Sequence, residues 1–269
     1  ADRAYTAFLL FLPFIMGVLS LSVPGGGPNK SGVGFGKPLP AGPPDFGAAP
    51  SEPGQILVMM NVGAIFMGTA LTIRALIGER AIFRREQAVG LSTTAYLAAK
   101  VAVFTAFAVV QSSIVVAITI IGKGWGAGSV TNGSVIPSRS IEMFVDISMT
   151  CVAAAMTGLA LSGLAKSAEQ IMPLLVVAVM SQLVFSGGLI PVTGRVVLDQ
   201  LSWLTPARWG FASSASTIDL TRLVPEPVLP NDKFWHHTTG AWWTDIGALL
   251  LLSAVYLGFV RWRIRLKAD

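Results

Sequence analysis

The residues best equipped for chemistry lie in one short stretch, "GERAIFRREQAVGLSTTAYLAAK" at 78–100. There Glu79, Arg80, Arg84, Arg85 and Glu86 crowd between two apolar runs. A mixed Glu/Arg set can pair with grooves on a partner protein. Positive charge on a short amphipathic element can equally hold anionic lipid. Other candidates fall away on spacing. "GGGPNKS" at 25–31 has a Lys-Ser pair but not the glycine spacing of a phosphate-binding P-loop. His236 and His237 are adjacent, whereas a metal site calls for further ligands at helical or hairpin spacing. "FSGG" at 185–188 is not a GxSxG elbow, and no Ser/His/Asp set is placed for nucleophilic attack. The sequence therefore predicts no catalytic residue, no metal site and no cofactor bound by this chain.

The elements that must position the charged stretch are apolar. Hydrophobic residues make up 53% of the chain and charged residues 12%, with mean hydropathy +0.67. A soluble domain carries roughly 25% charge. Runs of about 20 apolar residues, the length that crosses a bilayer core, recur along the chain. They predict an all-α integral membrane protein with spans at about 5–23, 55–77, 95–121, 142–164, 169–190 and 242–260. The charged stretch connects the second and third of these six transmembrane helices.

The pI near 9.7 does not indicate nucleic acid, because the basic residues cluster beside span ends. Short segments at 1–4, 78–94, 165–168 and 261–269 are dense in Arg and Lys, while the longer loops are dilute. The positive-inside rule then places both termini in the cytoplasm. The single cysteine, Cys151, permits no intrachain disulfide and favours a bacterial plasma membrane. The first apolar run lacks a cleavage pattern and reads as a span. With no Met before Ala1, either an initiator was trimmed or this is the membrane part of a longer polypeptide.

Polar residues within spans read first as packing groups. Residues 61, 65, 68 and 72 share one face of the second span, and the fourth span is rich in Ala, Gly, Ser and Thr, which suits close helix approach. Asp146 and Asp245 fall near outer span ends, and Lys100 near an inner end. No ionisable residue is predicted near a midplane, so the energy source lies outside this chain. Residues 24–54 read as a Gly/Pro-rich spacer. "RVVLDQLSWLTPARWGFA" at 195–212 reads as a re-entrant or interfacial outer-loop helix, with Val197, Leu198, Leu201 and Leu204 as its apolar stripe. Trp203 and Trp209 are expected at headgroup level, and Trp242 and Trp243 as the anchor of the last span.

Three blocks carry a family resemblance. "ERAIFRREQAVGLSTTAYLAAK" resembles the first cytoplasmic loop of the G-subfamily, ABC-2 type, ATP-binding-cassette exporters. "TGLALSGLAKSAEQIMPLLVVAVMSQLVFSGGLIPV" resembles the family's fourth and fifth spans, and "LSWLTPARWGFAS" its last outer loop. The wording is most similar to mycobacterial-type exporters in which forkhead-associated and nucleotide-binding modules precede the membrane part.

The resemblance implies a six-span exporter transmembrane domain, one permease domain over 1–269, working as a dimer. An amphipathic coupling helix contacts a nucleotide-binding domain that is not in this chain and that binds ATP and Mg. It assigns coupling to Glu79, Arg80, Phe83, Arg84, Arg85, Glu86 and Gly90. It places Asn61, Ala64, Phe66 and Met67 of the second span and Val176, Met180, Leu183 and Val184 of the fifth around a substrate cavity. Gly188 and Leu189 would form an outer gate. An apolar cavity of this kind favours lipidic or amphipathic cargo: a cell-envelope lipid or glycolipid, or else a hydrophobic drug. A secondary transporter, a membrane-embedded transferase and a non-transporting assembly subunit are the competing classes.

Overall fold

The computed structural model describes residues 3–23, 35, 52–79, 83, 85–87, 89–90, 92–125, 132–190, 192–224 and 232–265. The described residues are helical: α1 (Arg3–Leu21), α2 (Glu52–Thr72), α3 (Ala75–Gly78), α4 (Thr93–Lys123) and α5 (Arg139–Leu164) come first. They are followed by α6 (Ile171–Phe185), α7 (Leu198–Ser202), α8 (Pro206–Ile218), α9 (Leu220–Leu223) and α10 (Thr239–Arg265). Most of the 24–54 spacer lies outside the described residues.

Among the described residues, five helical segments are long and apolar enough to cross a membrane: Glu52–Gly78, Thr93–Lys123, Arg139–Leu164, Ala168–Phe185 and Thr239–Ile264. The expected first span falls on α1, a helix of 19 residues with an apolar stretch at Ala7–Leu21. The fifth expected span ends early, at Phe185, because Gly187 turns the chain with φ +82°.

α5 is the hub, packing on α2, α4, α8 and α10. Its small residues let α2 come within backbone contact. A Cβ on Gly68 would run into the Cys151 carbonyl oxygen, and one on Gly158 into Thr69 and Thr72. Thr72 Oγ1 donates to Ala155 O at 2.7 Å, and Ser162 Oγ accepts from the Leu76 N–H at 3.1 Å. Every one of these contacts lies on the 61–65–68–72 face or its neighbour. Thr72 and Ser162 thus bond between helices.

α1 is attached differently. Pro13 has no N–H to give the Leu9 carbonyl one turn back. Gln111 of α4 supplies the missing donor, Nε2 to Leu9 O at 2.9 Å. At the outer end, Lys123 Nζ donates to Val23 O at 2.5 Å and to Glu52 Oε1 at 3.1 Å. Both charges are buried, so α1, α2 and α4 share one clamp.

Candidate coupling element and outer gate

The charged stretch divides into a pinned side and a free side. Glu79 Oε2 lies 2.8 Å from Lys100 Nζ and accepts from the Tyr96 hydroxyl at 3.2 Å. The Lys100 ammonium also sits over the Tyr96 and Phe104 rings, at 5.2 and 5.7 Å. Phe83 is buried and its ring packs on Tyr96 with centroids 4.5 Å apart. Ser92 caps the start of α4 by accepting from the Ala95 N–H at 3.2 Å. Arg85 and Glu86 are exposed, and Val89 is 91% exposed. Gly90 supplies the turn into α4 with φ +109°. Arg80 and Arg84 lie outside the described residues.

Glu79 and Phe83 thus make contacts with α4, while Arg85 and Glu86 are exposed. Tyr96 and Lys100 are the residues that make this so. The sequence pattern contained them, yet nothing in their spacing alone assigned them to Glu79. Nearby, Arg74 stacks over the Tyr5 ring at 4.9 Å, and the Tyr5 hydroxyl donates to Ala70 O. The inner ends of α1, α2 and α4 therefore meet around the same loop.

The eight residues expected at a cavity do not share one surface within the chain. Asn61 is buried and its Nδ2 donates to Leu57 O at 3.0 Å and to Ser214 Oγ of α8 at 3.2 Å. Ala64 and Met67 lie in the core. Phe66 alone reaches toward α6, packing against Ile73, Ile171 and Leu175. With about 100° between successive residues, Val176, Met180, Leu183 and Val184 project away from the buried Ile171–Leu175–Gln182 side of α6. Val176 and Met180 are each 57% exposed. A cavity of about 250 Å³ opens on a third side of α6, beside Leu174, Ser181, Gln182, Thr205 and Tyr256.

At the outer end of α6, Leu189 is 56% exposed and Gly188 lies against the Phe211 ring where a Cβ would stand. Behind this turn sits α8, which falls within the expected outer-loop helix. It is buried on every side, and Trp209 is only 7% exposed. Polar neighbours explain why burial is tolerated. Trp209 Nε1 donates to Trp203 O at 2.9 Å, and Thr217 Oγ1 donates to both Glu142 (2.9 Å) and Asp146 (2.7 Å). Trp242 is likewise buried, its Nε1 donating to Asp146 at 2.9 Å, while Trp243 stays exposed. Of the apolar stripe, Val197, Leu201 and Leu204 are exposed and Leu198 is half-buried. The Tyr256 hydroxyl, past the middle of α10, donates to Leu204 O at 2.6 Å, which draws the turn before α8 deep alongside α10.

Glu142 takes three backbone N–H groups, from Ser134, Val135 and Ile136, at 2.7–2.8 Å. His237 is occupied in the same network, with Ser216 O at 2.7 Å and Ser134 Oγ at 3.0 Å. No group of three or more His, Cys, Asp or Glu that could hold a metal occurs among the described residues. Glu142 and Asp146 thus act as hydrogen-bond anchors that fasten residues 134–136, Thr217 and Trp242 to α5.

The sequence that builds this helical bundle matches a known family. The model of the ABC-2 type transporter family matches residues 1–218. The chain belongs to the ABC-2 type transporter family. Over its 269 residues it is 66% identical to the ABC transporter ATP-binding/permease protein Rv1747 of Mycobacterium tuberculosis. It spans 29% of that relative's length. The match covers α1 to α8, so the charged 79–90 stretch, the α2–α5 seam and the buried helix α8 all lie within it.

Proposed function

We propose that this ABC-2 chain is the membrane-spanning part of an ATP-driven exporter. It moves a lipidic or amphipathic substrate outward across the bacterial plasma membrane, a cell-envelope lipid or glycolipid before a hydrophobic drug. ATP and Mg bind an ABC nucleotide-binding domain. The relative's name joins an ATP-binding part and a permease in one protein, which supports a fused arrangement. Two copies work together, each crossing the membrane six times with α1 as the short first span and both termini in the cytoplasm.

The observation that carries this reading is the division within 79–90. Glu79 and Phe83 fix the element to α4, so a push on it moves a span rather than bending a loop. Arg85 and Glu86 remain exposed for charge-assisted contacts with a nucleotide-binding domain. The outward α6 residues Val176, Met180, Leu183 and Val184 then face a second copy, and with Asn61, Ala64, Phe66 and Met67 behind them they border the cargo path. Leu189 meets its symmetry mate above, beside Gly188, as an apolar seal.

Arg85→Glu and Glu86→Ala in the full-length polypeptide test the reading. Both variants are expected to insert normally and to lose transport, with ATP hydrolysis no longer stimulated by cargo. Normal transport with normal stimulated ATPase in both would overturn it. A secondary carrier would keep transporting after ATP depletion, and an assembly subunit would stimulate no ATPase.

A further inference from the structure

We propose that Arg208 is a two-position latch on the outer mouth. It holds Asp232 in the arrangement described here and passes to Asp245 when the turn after α6 moves. The guanidinium is 1% exposed, and all of its polar contacts run through Nη2: Asp232 Oδ2, Thr193 Oγ1 at 3.4 Å and Asp199 Oδ1 at 3.8 Å. Nε and Nη1 have no partner among the described residues. Asp245, near the start of α10, is the complement. It is 0% exposed, and neither carboxylate oxygen has a partner among the described residues. α8 packs along α10, and Trp209 beside Arg208 shares one buried cluster with Trp242 and Ile246 on either side of Asp245.

A buried carboxylate without donors and a buried guanidinium with donors to spare are each costly alone. Each supplies what the other lacks, and a guanidinium–carboxylate pair is among the strongest of side-chain contacts.

The exchange would move the mouth because of what Asp232 holds. Its Oδ2 accepts from the Thr193 hydroxyl at 2.6 Å and its Oδ1 from the Phe234 N–H at 3.0 Å. Gly187 lies so close that a Cβ there would stand 2.6 Å from Arg208 Nη1. One side chain on α8 therefore ties together the turn after α6, the segment following it and the loop returning to α10. Transfer to Asp245 keeps Arg208 on the α8–α10 scaffold and frees Asp232 and Thr193 to swing outward with the gate. The nucleotide dependence of this step rests on the export reading above; the exchange itself does not.

A thermal-unfolding cycle on the purified full-length protein without nucleotide tests the exchange. Asp232→Asn alone should lower the Tm, and Asp245→Asn alone should leave it unchanged or raise it. In the Asp232→Asn background, Arg208 has moved to Asp245, so adding Asp245→Asn should lower the Tm by several degrees more. An Asp245→Asn effect of the same size in both backgrounds overturns the latch, as does a large loss from Asp245→Asn alone. If Asp232→Asn does not accumulate, Thr193→Val serves as the weakened background with the same expectations. Repeating the cycle with Mg·ATP and vanadate trapped should reverse the ranking of the two acids. If it does not, while the nucleotide-free cycle behaves as stated, the export coupling fails and the latch stands.

Discussion

The seam between α2 and α5 and the outward side of α6 are both built from small and apolar residues, yet they are opposite in kind. At the seam, Gly68 and Gly158 admit backbone against backbone, and Thr72 and Ser162 hydrogen-bond across it. On α6, Val176, Val177 and Met180 are each more than half exposed. The first surface is finished within one chain. The second is unfinished, and that is where a partner copy, lipid or cargo must act. Hydrophobic burial contributes little to helix association inside a bilayer, so the contrast rests on shape and hydrogen bonding rather than on greasiness.

The largest effect expected from this contrast is at Gly68. Gly68→Ala puts a Cβ onto the Cys151 carbonyl, an atom that cannot rotate away. Overpacking of this sort costs about 1–3 kcal/mol, and here it should reach the upper end. Membrane yield and Tm should both fall sharply. Met180→Ala, on the exposed face, should change stability by no more than about 0.5 kcal/mol. Equal losses in the two variants would erase the distinction.

A seam held by one side chain should give a smaller, conditional effect. Gln111→Leu removes the donor that serves the Leu9 carbonyl, leaving it unpaired at a cost of about 1–3 kcal/mol. Pro13→Ala restores a backbone N–H to that carbonyl. The Gln111→Leu loss should therefore shrink markedly in a Pro13→Ala background, as read by unfolding in detergent. Additive losses would show that Gln111 serves something else.

The mouth between the two regions gives the smallest and most specific signal. Burial pushes the Asp232 carboxyl up, but the Arg208 charge, the Thr193 hydroxyl and the Phe234 N–H outweigh it and hold it below the ordinary carboxylate range. A group lowered on folding contributes its stability fully above its unfolded value, near pH 4, and loses it as the pH falls through the folded value. The Tm gap between the native chain and Asp232→Asn should thus be open at about pH 5 and close as the pH falls into stronger acid. A gap that persists undiminished in strong acid would mean that another group governs the mouth.

What was legible in the sequence follows from which signals are local. Apolar runs and caps are local, so α2, α4, α5 and α10 fell close to where their hydropathy placed them. The small residues of the fourth span announced close packing before any partner was known. The first expected span, 5–23, coincides with α1 over residues 5–21. Long-range pairings were not legible. Nothing near Arg208 in sequence points to Asp232, which lies beyond a Pro-punctuated loop, and Trp209 and Trp242 carry a pattern that also suits a membrane surface. Their indole N–H groups find Trp203 O and Asp146 instead. At the coupling stretch the residue types were legible but their division was not, because Glu79 differs from Glu86 only by what α4 places beside it.

The claim that most of this account depends on is that the open side of α6 is closed by a second copy. Single-cysteine cross-linking in a Cys151→Ser background measures it directly, using the full-length protein in membranes and a short bis-maleimide. Met180→Cys should give a cross-linked dimer in high yield. Val110→Cys, equally exposed on α4 at 58%, should give almost none. Comparable yields at both positions, or none at Met180, would contradict the account and leave the α6 face to lipid.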